Sequence, residues 1–108
     1  MKIIKHQTPV MVCAILLSLT AGCATHPVDT HARNMGASCA ACHGTDGNSV
    51  GGAPVLAGLD KTYFVAQMKA FKSGARPATV MNQHAKGYSD EEFEQLASFF
   101  AAQKHEPR

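Results

Sequence analysis

The reactive side chains of this chain concentrate in five consecutive residues, Cys39-Ala40-Ala41-Cys42-His43. Two thiols three positions apart share one helical turn and can reach the two vinyl groups on one edge of a porphyrin. The next residue, His43, can then turn its imidazole onto the iron as proximal ligand. Cys-x-x-Cys-His is thus the attachment signature of a covalent c-type haem, held by thioethers at Cys39 and Cys42. A thiol–disulfide redox pair would need alternating strands and helices over a longer chain, and nothing here reads as a run of strands. A structural zinc site would need two further ligands at paired spacing, and the remaining histidines and carboxylates do not offer them.

An electron-transfer haem needs a second axial ligand, usually Met or His. Met35 lies on the same short helix as the attachment site and cannot swing to the far face. Met68 falls at core spacing with Phe64 and Phe71, which suits packing better than ligation. Met81 is expected in a loop between two helices, after Arg76-Pro77, where the backbone is free to lay a thioether over the ring. His84, close behind it, is the alternative. His26, His31 and His105 lie near the termini and read as solvated.

Three helices must position these groups. The first runs from about His31 to Ala41. Gly36 on it allows another helix to approach closely. The second takes Asp60 as N-cap, runs to about Ser73 and stops at Gly74. The third starts at Ser89, which with Glu92 forms a capping box, and it ends near Gln103-Lys104. Phe93, Leu96, Ala97 and Phe100 make its apolar stripe. The Gly-rich stretch between His43 and Asp60 reads as turn chemistry.

The full chain has 108 residues and a formal charge of +2. Val10 to Gly22 is an almost uninterrupted apolar run behind Lys2 and Lys5, too short for an ordinary membrane span and shaped like a secretory signal. Cys13 lies within it and would be removed. Thr20-Ala21-Gly22-Cys23 resembles a bacterial lipobox, in which Cys23 becomes the lipidated first residue. The plainer alternative is a signal cleaved near Ala24. Acylation would tether the protein to a membrane surface without spanning it. Ala24 after the cysteine suggests the outer membrane. The expected organisation is a signal over 1–22, a linker over 23–30 and one domain over 31–108. Cleavage before Cys23 leaves 86 residues, with eight Lys/Arg against eight Asp/Glu. The basic charge therefore belongs to the signal, and a nucleic-acid partner loses its main support. So small a domain buries a modest core and commonly leans on a cofactor.

The residues now in view resemble class I c-type cytochromes, an all-α fold of three main helices and loops around one covalent haem. Cys39 to Gly44 opens the resemblance, and Pro54-Val55-Leu56-Ala57-Gly58 continues it. The resemblance implies that the Pro54 carbonyl accepts the outer N–H of His43 and fixes its ring. It also places the axial Met ahead of the last helix, in favour of Met81. A more specific likeness runs through Tyr63 to Gly74, Arg76 to Met81 and Ala85 to Glu92. These stretches resemble the cytochrome subunit of flavocytochrome c sulfide dehydrogenase and related two-haem cytochromes. By that resemblance Leu56, Phe64 and Tyr88 line the haem. One Cys-x-x-Cys-His leaves room for one haem only.

The reading that follows is a periplasmic monohaem carrier of single electrons. Its implied donor is an FAD-containing sulfide dehydrogenase subunit, and its acceptor another cytochrome or a terminal oxidase. Lys61, Lys69, Lys72 and Lys86 are either a basic rim that steers partners or a solvated face. The alternatives are a free shuttle without a dedicated flavoprotein, and a haem enzyme or sensor with an open sixth site.

Overall fold

The computed structural model describes residues 29–107. The expected signal, the Cys23 lipidation site and most of the linker lie outside the described residues. Among the described residues four helices are present: α1 (Thr30–His43), α2 (Lys61–Ser73), α3 (Met81–Lys86) and α4 (Asp90–Ala101), with one 3-10 turn at Thr45–Gly47. No strand occurs among the described residues.

Local chemistry sets most boundaries. The Asp29 side chain accepts from the backbone N–H groups of His31 and Ala32, so α1 starts a residue before the sequence expectation. Such an offset is within ordinary boundary scatter. The helix also runs on to include His43. Asp60 caps α2 through the N–H of Tyr63, and Gly74 closes it in the left-handed conformation. Ser89 and Glu92 form both halves of the capping box of α4. The third expected helix is therefore present from Asp90, and a further short helix precedes it.

The core is built on α4. Phe93, Leu96, Ala97 and Phe100 are almost fully buried, as the apolar stripe requires. Each such large side chain contributes about 1.5–3 kcal/mol on leaving water. Phe64, Val65 and Met68 of α2 complete the cluster with Ala85 of α3. The Phe64 and Phe100 rings lie 5.7 Å apart, and Phe99 meets Phe100 edge-on at 5.1 Å. On the other side α1 crosses α4 at a glycine. A Cβ on Gly36 would fall 2.7 Å from Cε1 of Phe99, so the close approach read from the sequence is real.

The glycine-rich loop is pinned to this core. The Gly47 carbonyl accepts from the N–H groups of Leu56 (2.8 Å) and Ala57 (3.2 Å), and Gly58 N–H donates to Phe100 O (2.9 Å). Asn48 donates to Lys104 O (3.0 Å) and accepts from Glu106 N–H (2.9 Å), which ties the C-terminal segment to the same loop.

Candidate haem site

The C-terminal turn of α1 presents three groups in different environments. Cys39 and Cys42 are both free thiols, the first half-buried and the second exposed. Burial pushes the Cys39 thiol above its ordinary pKa, and a hydrogen bond from Ser38 opposes that shift. Its S–H points back along the helix to Met35 O, at 3.8 Å.

His43 ends the helix with its ring turned to the loop. Its Nδ1 lies 2.7 Å from the Pro54 carbonyl oxygen. A carbonyl can only accept, so in the neutral ring the proton sits on Nδ1. The lone pair is then left on Nε2, the nitrogen required of a metal ligand. The loop can deliver Pro54 there because its two ends are clamped through the Gly47 carbonyl. The chain leaves His43 through Gly44, at φ 77 and ψ 164. That conformation is essentially restricted to glycine. A Cβ there would also fall 2.4 Å from the Asn48 carbonyl oxygen.

Met81 opens α3 rather than standing in a free loop, which corrects the sequence expectation. The six-residue helix has no side-chain cap, since Val80 occupies the N-cap position. It is also too short to display an apolar period, so neither usual helix signal could reveal it. Met81 is half-buried and packs against the α4-centred cluster, as do Cys39, Leu56 and Tyr88. The cluster contains Phe64 itself. The fold thus gathers Cys39, Leu56, Phe64, Met81 and Tyr88 on one core, while the hydrogen bond to Pro54 ties His43 to the adjoining loop.

The other candidate ligands sit elsewhere. Met68 is buried in the core and Met35 packs against it, both as the spacing implies. His84 is exposed on α3, and His105 is exposed in the C-terminal segment. His31 is exposed and lies 3.6 Å from Glu92. His26 lies outside the described residues. Among the described residues no three His, Cys, Asp or Glu side chains could hold a metal ion directly.

Some supporting contacts gave no signal in the sequence. The Tyr88 hydroxyl pairs with Ser38 Oγ at 2.8 Å, next to Cys39. Lys72 donates to the Tyr88 carbonyl at 2.6 Å. Lys69 and Lys72 also both face Asp90, at 3.2 and 3.8 Å. Two of the four lysines read as a basic rim or a solvated face are therefore partnered by an acid, although Lys69 stays exposed, as do Lys61 and Lys86. Asn82 bridges the segment before α3 to the end of α2.

These residues suit a covalent porphyrin. Two free thiols share a helical turn, the neighbouring imidazole is held in the ligating tautomer, and Cys39 packs on the same core as Leu56, Met81 and Tyr88. The cytochrome c family profile matches residues 32–104. This chain belongs to the cytochrome c family.

As a family member it carries a covalently bound haem c and serves as an electron-transfer protein. The class I all-α fold read from the sequence is the one observed. The chain is 48% identical over 63 residues to the cytochrome subunit of sulfide dehydrogenase of Chlorobaculum tepidum, covering 58% of this chain and 57% of that one. It is 37% identical over 73 residues to cytochrome c-554(548) of Halomonas halodenitrificans, covering 62% of this chain and 86% of that one. It is 38% identical over 96 residues to the thiosulfate dehydrogenase electron acceptor of Stutzerimonas stutzeri, covering 84% of this chain and 44% of that one. The chain thus spans little more than half of the first relative and less than half of the third.

Proposed function

We propose that this cytochrome is a periplasmic monohaem carrier that takes single electrons from a sulfide-oxidising, FAD-containing subunit. It passes them to a further cytochrome or a terminal oxidase. In this reading Cys39 and Cys42 form the thioethers, His43 and Met81 are the axial ligands, and Leu56, Phe64 and Tyr88 line the ring. Bound haem supplies a one-electron couple, and the Met/His pair sets it high. Pro54 holds the His43 ring in its ligating orientation. Cys23 would anchor the chain to the outer membrane as a lipoprotein.

The observation that carries the site assignment is the 2.7 Å contact between His43 Nδ1 and the Pro54 carbonyl, beside two free thiols. The donor is supported by the likeness to the Chlorobaculum subunit, whose name places it in a sulfide dehydrogenase.

The test has two parts. In exported holoprotein, Met81→Ala should abolish the far-red methionine–iron(III) band and lower the potential, whereas His84→Ala should leave both unchanged. An unaltered band in Met81→Ala would remove Met81 from the site. For the partner, a tagged chain should co-purify with an FAD-containing subunit that reduces it when sulfide is added.

A free-standing shuttle is the second reading, because the match spans most of the Halomonas cytochrome. Purification as a lone monomer, with no flavoprotein reducing it in the presence of sulfide, would favour that reading.

A further inference from the structure

Residues 74–80, which deliver Met81 to the core, are all exposed. No apolar burial fixes them, and α3 has no capping side chain. Something else must define where Met81 begins.

The Asn82 carboxamide meets that need. Its Oδ1 accepts from Ala78 N–H at 2.8 Å. Its Nδ2 donates to Phe71 O at 2.8 Å and to Arg76 O at 2.9 Å. Three of the amide's four hydrogen-bonding capacities are thus used. Phe71 O belongs to the last turn of α2, where it also accepts from the capping Gly74 N–H at 3.2 Å and the second lone pair is open to a side chain. One side chain therefore joins the residue after Met81 to a fixed helix end and to both sides of the turn before it. The turn is braced further by Arg76, whose N–H donates to Ala70 O (3.0 Å) and whose guanidinium lies 4.6 Å from the Phe71 ring centre.

We infer that Asn82 is a positioning residue for the sixth ligand: it holds the Met81 backbone at the reach the thioether needs and resists displacement of that ligand. This rests on the assignment of Met81 as axial ligand. Without the three bonds, the segment from Ala75 to Met81 would keep the Arg76 contacts and the 3.4 Å bond from Ala75 N–H to Ser73 Oγ but lose its tie between α3 and the end of α2, and methionine would leave the iron more readily. The side chain acts through the backbone and does not touch the haem.

The test uses exported holoprotein and imidazole as a competing ligand. Imidazole replaces a methionine more easily when the loop opens more easily. Asn82→Ala should lower the half-saturating imidazole concentration about tenfold, a change of 1.4 kcal/mol. Asn82→Asp keeps the bond from Ala78 and loses both donors, so it should fall between Asn82→Ala and the parent. It also serves if the alanine variant takes up no haem. Asn48→Ala removes two comparable bonds between the loop after α1 and the C-terminal segment and should leave the imidazole response unchanged.

Parental imidazole affinity in both Asn82 variants would overturn the inference. So would an equal shift in Asn48→Ala, since the effect would then be general loosening. If Met81→Ala keeps the far-red band, the ligand assignment fails and takes this inference with it. If Met81→Ala loses the band but the Asn82 variants match the parent, only the inference fails.

Discussion

The two sides of the haem site are built by different means. The proximal side is one regular helix of 14 residues, and its cysteines and histidine follow from helical spacing alone. One backbone carbonyl completes it. The distal side is a six-residue helix without a capping side chain, led in by exposed residues. Side chains reaching over from α2, or back to it, hold that helix in place. Asn82 binds its entry to Phe71 O, and Lys72 binds Tyr88 O just beyond its exit. The first side rests on one long helix and a single carbonyl tether, whereas the second adds several side-chain bonds to the burial of Ala85 and the packing of Met81.

The largest effect should come from breaking the proximal side outright. Replacing both Cys39 and Cys42 with Ala should leave no haem bound after denaturation, measured by haem absorbance on the denatured band. Met81→Ala, by contrast, should keep covalent haem and change only its spectrum and potential. If both variants lost haem, the division of labour between the two sides would be wrong.

Gly44→Ala tests the rigidity of the proximal exit. The strained backbone costs about 1–3 kcal/mol, and the clash with Asn48 adds a similar amount. The melting temperature of holoprotein should therefore drop by about 8 °C or more. A near-parental melting temperature would show that the exit from His43 tolerates rearrangement.

The contrast also explains what could be read from the sequence. Cys39, Cys42 and His43 were legible because their chemistry is encoded in five adjacent residues. The capping residues Asp60 and Ser89 and the stripe of Phe93, Leu96, Ala97 and Phe100 were legible because helix ends and helical periodicity are local. Helix α3 was not, since it carries neither a cap nor enough length to show a period. Asn82 and Lys72 were missed for another reason. Their partners lie 11 and 16 residues away, and no spacing rule connects a side chain to a particular carbonyl at such a distance. The pairing of two of the lysines with an acid was not legible for the same reason, because Asp90 meets Lys69 and Lys72 only through the packing of α2 on α4.

A capping substitution should separate overall stability from ligand retention. Ser89→Ala removes the cap of α4, on which both sides of the site rest. It should cost about 1 kcal/mol, read as a lower melting temperature. At room temperature the far-red band and the imidazole response should stay parental. A shifted imidazole response would mean that the distal side senses the core generally, not through its own tethers.

The smallest expected effect is the sharpest test of those tethers. Lys72 is half-buried, with its ammonium donating to Tyr88 O and lying 5.3 Å from the Phe93 ring centre. Lys72→Met keeps the apolar stem and its packing but removes the donor. A net hydrogen bond of this kind contributes about 0.5–1.5 kcal/mol, and partial exposure favours the lower end. The half-saturating imidazole concentration should thus fall about two- to threefold, less than for Asn82→Ala, because α3 loses one bond past its exit and keeps three at its entry. Lys69→Met is the matched control. It removes the 3.2 Å ion pair with Asp90 but no bond to Tyr88. Were charge loss near Asp90 the cause, the two lysine variants would shift alike. If the bond to Tyr88 is the cause, Lys69→Met will stay at the parental value.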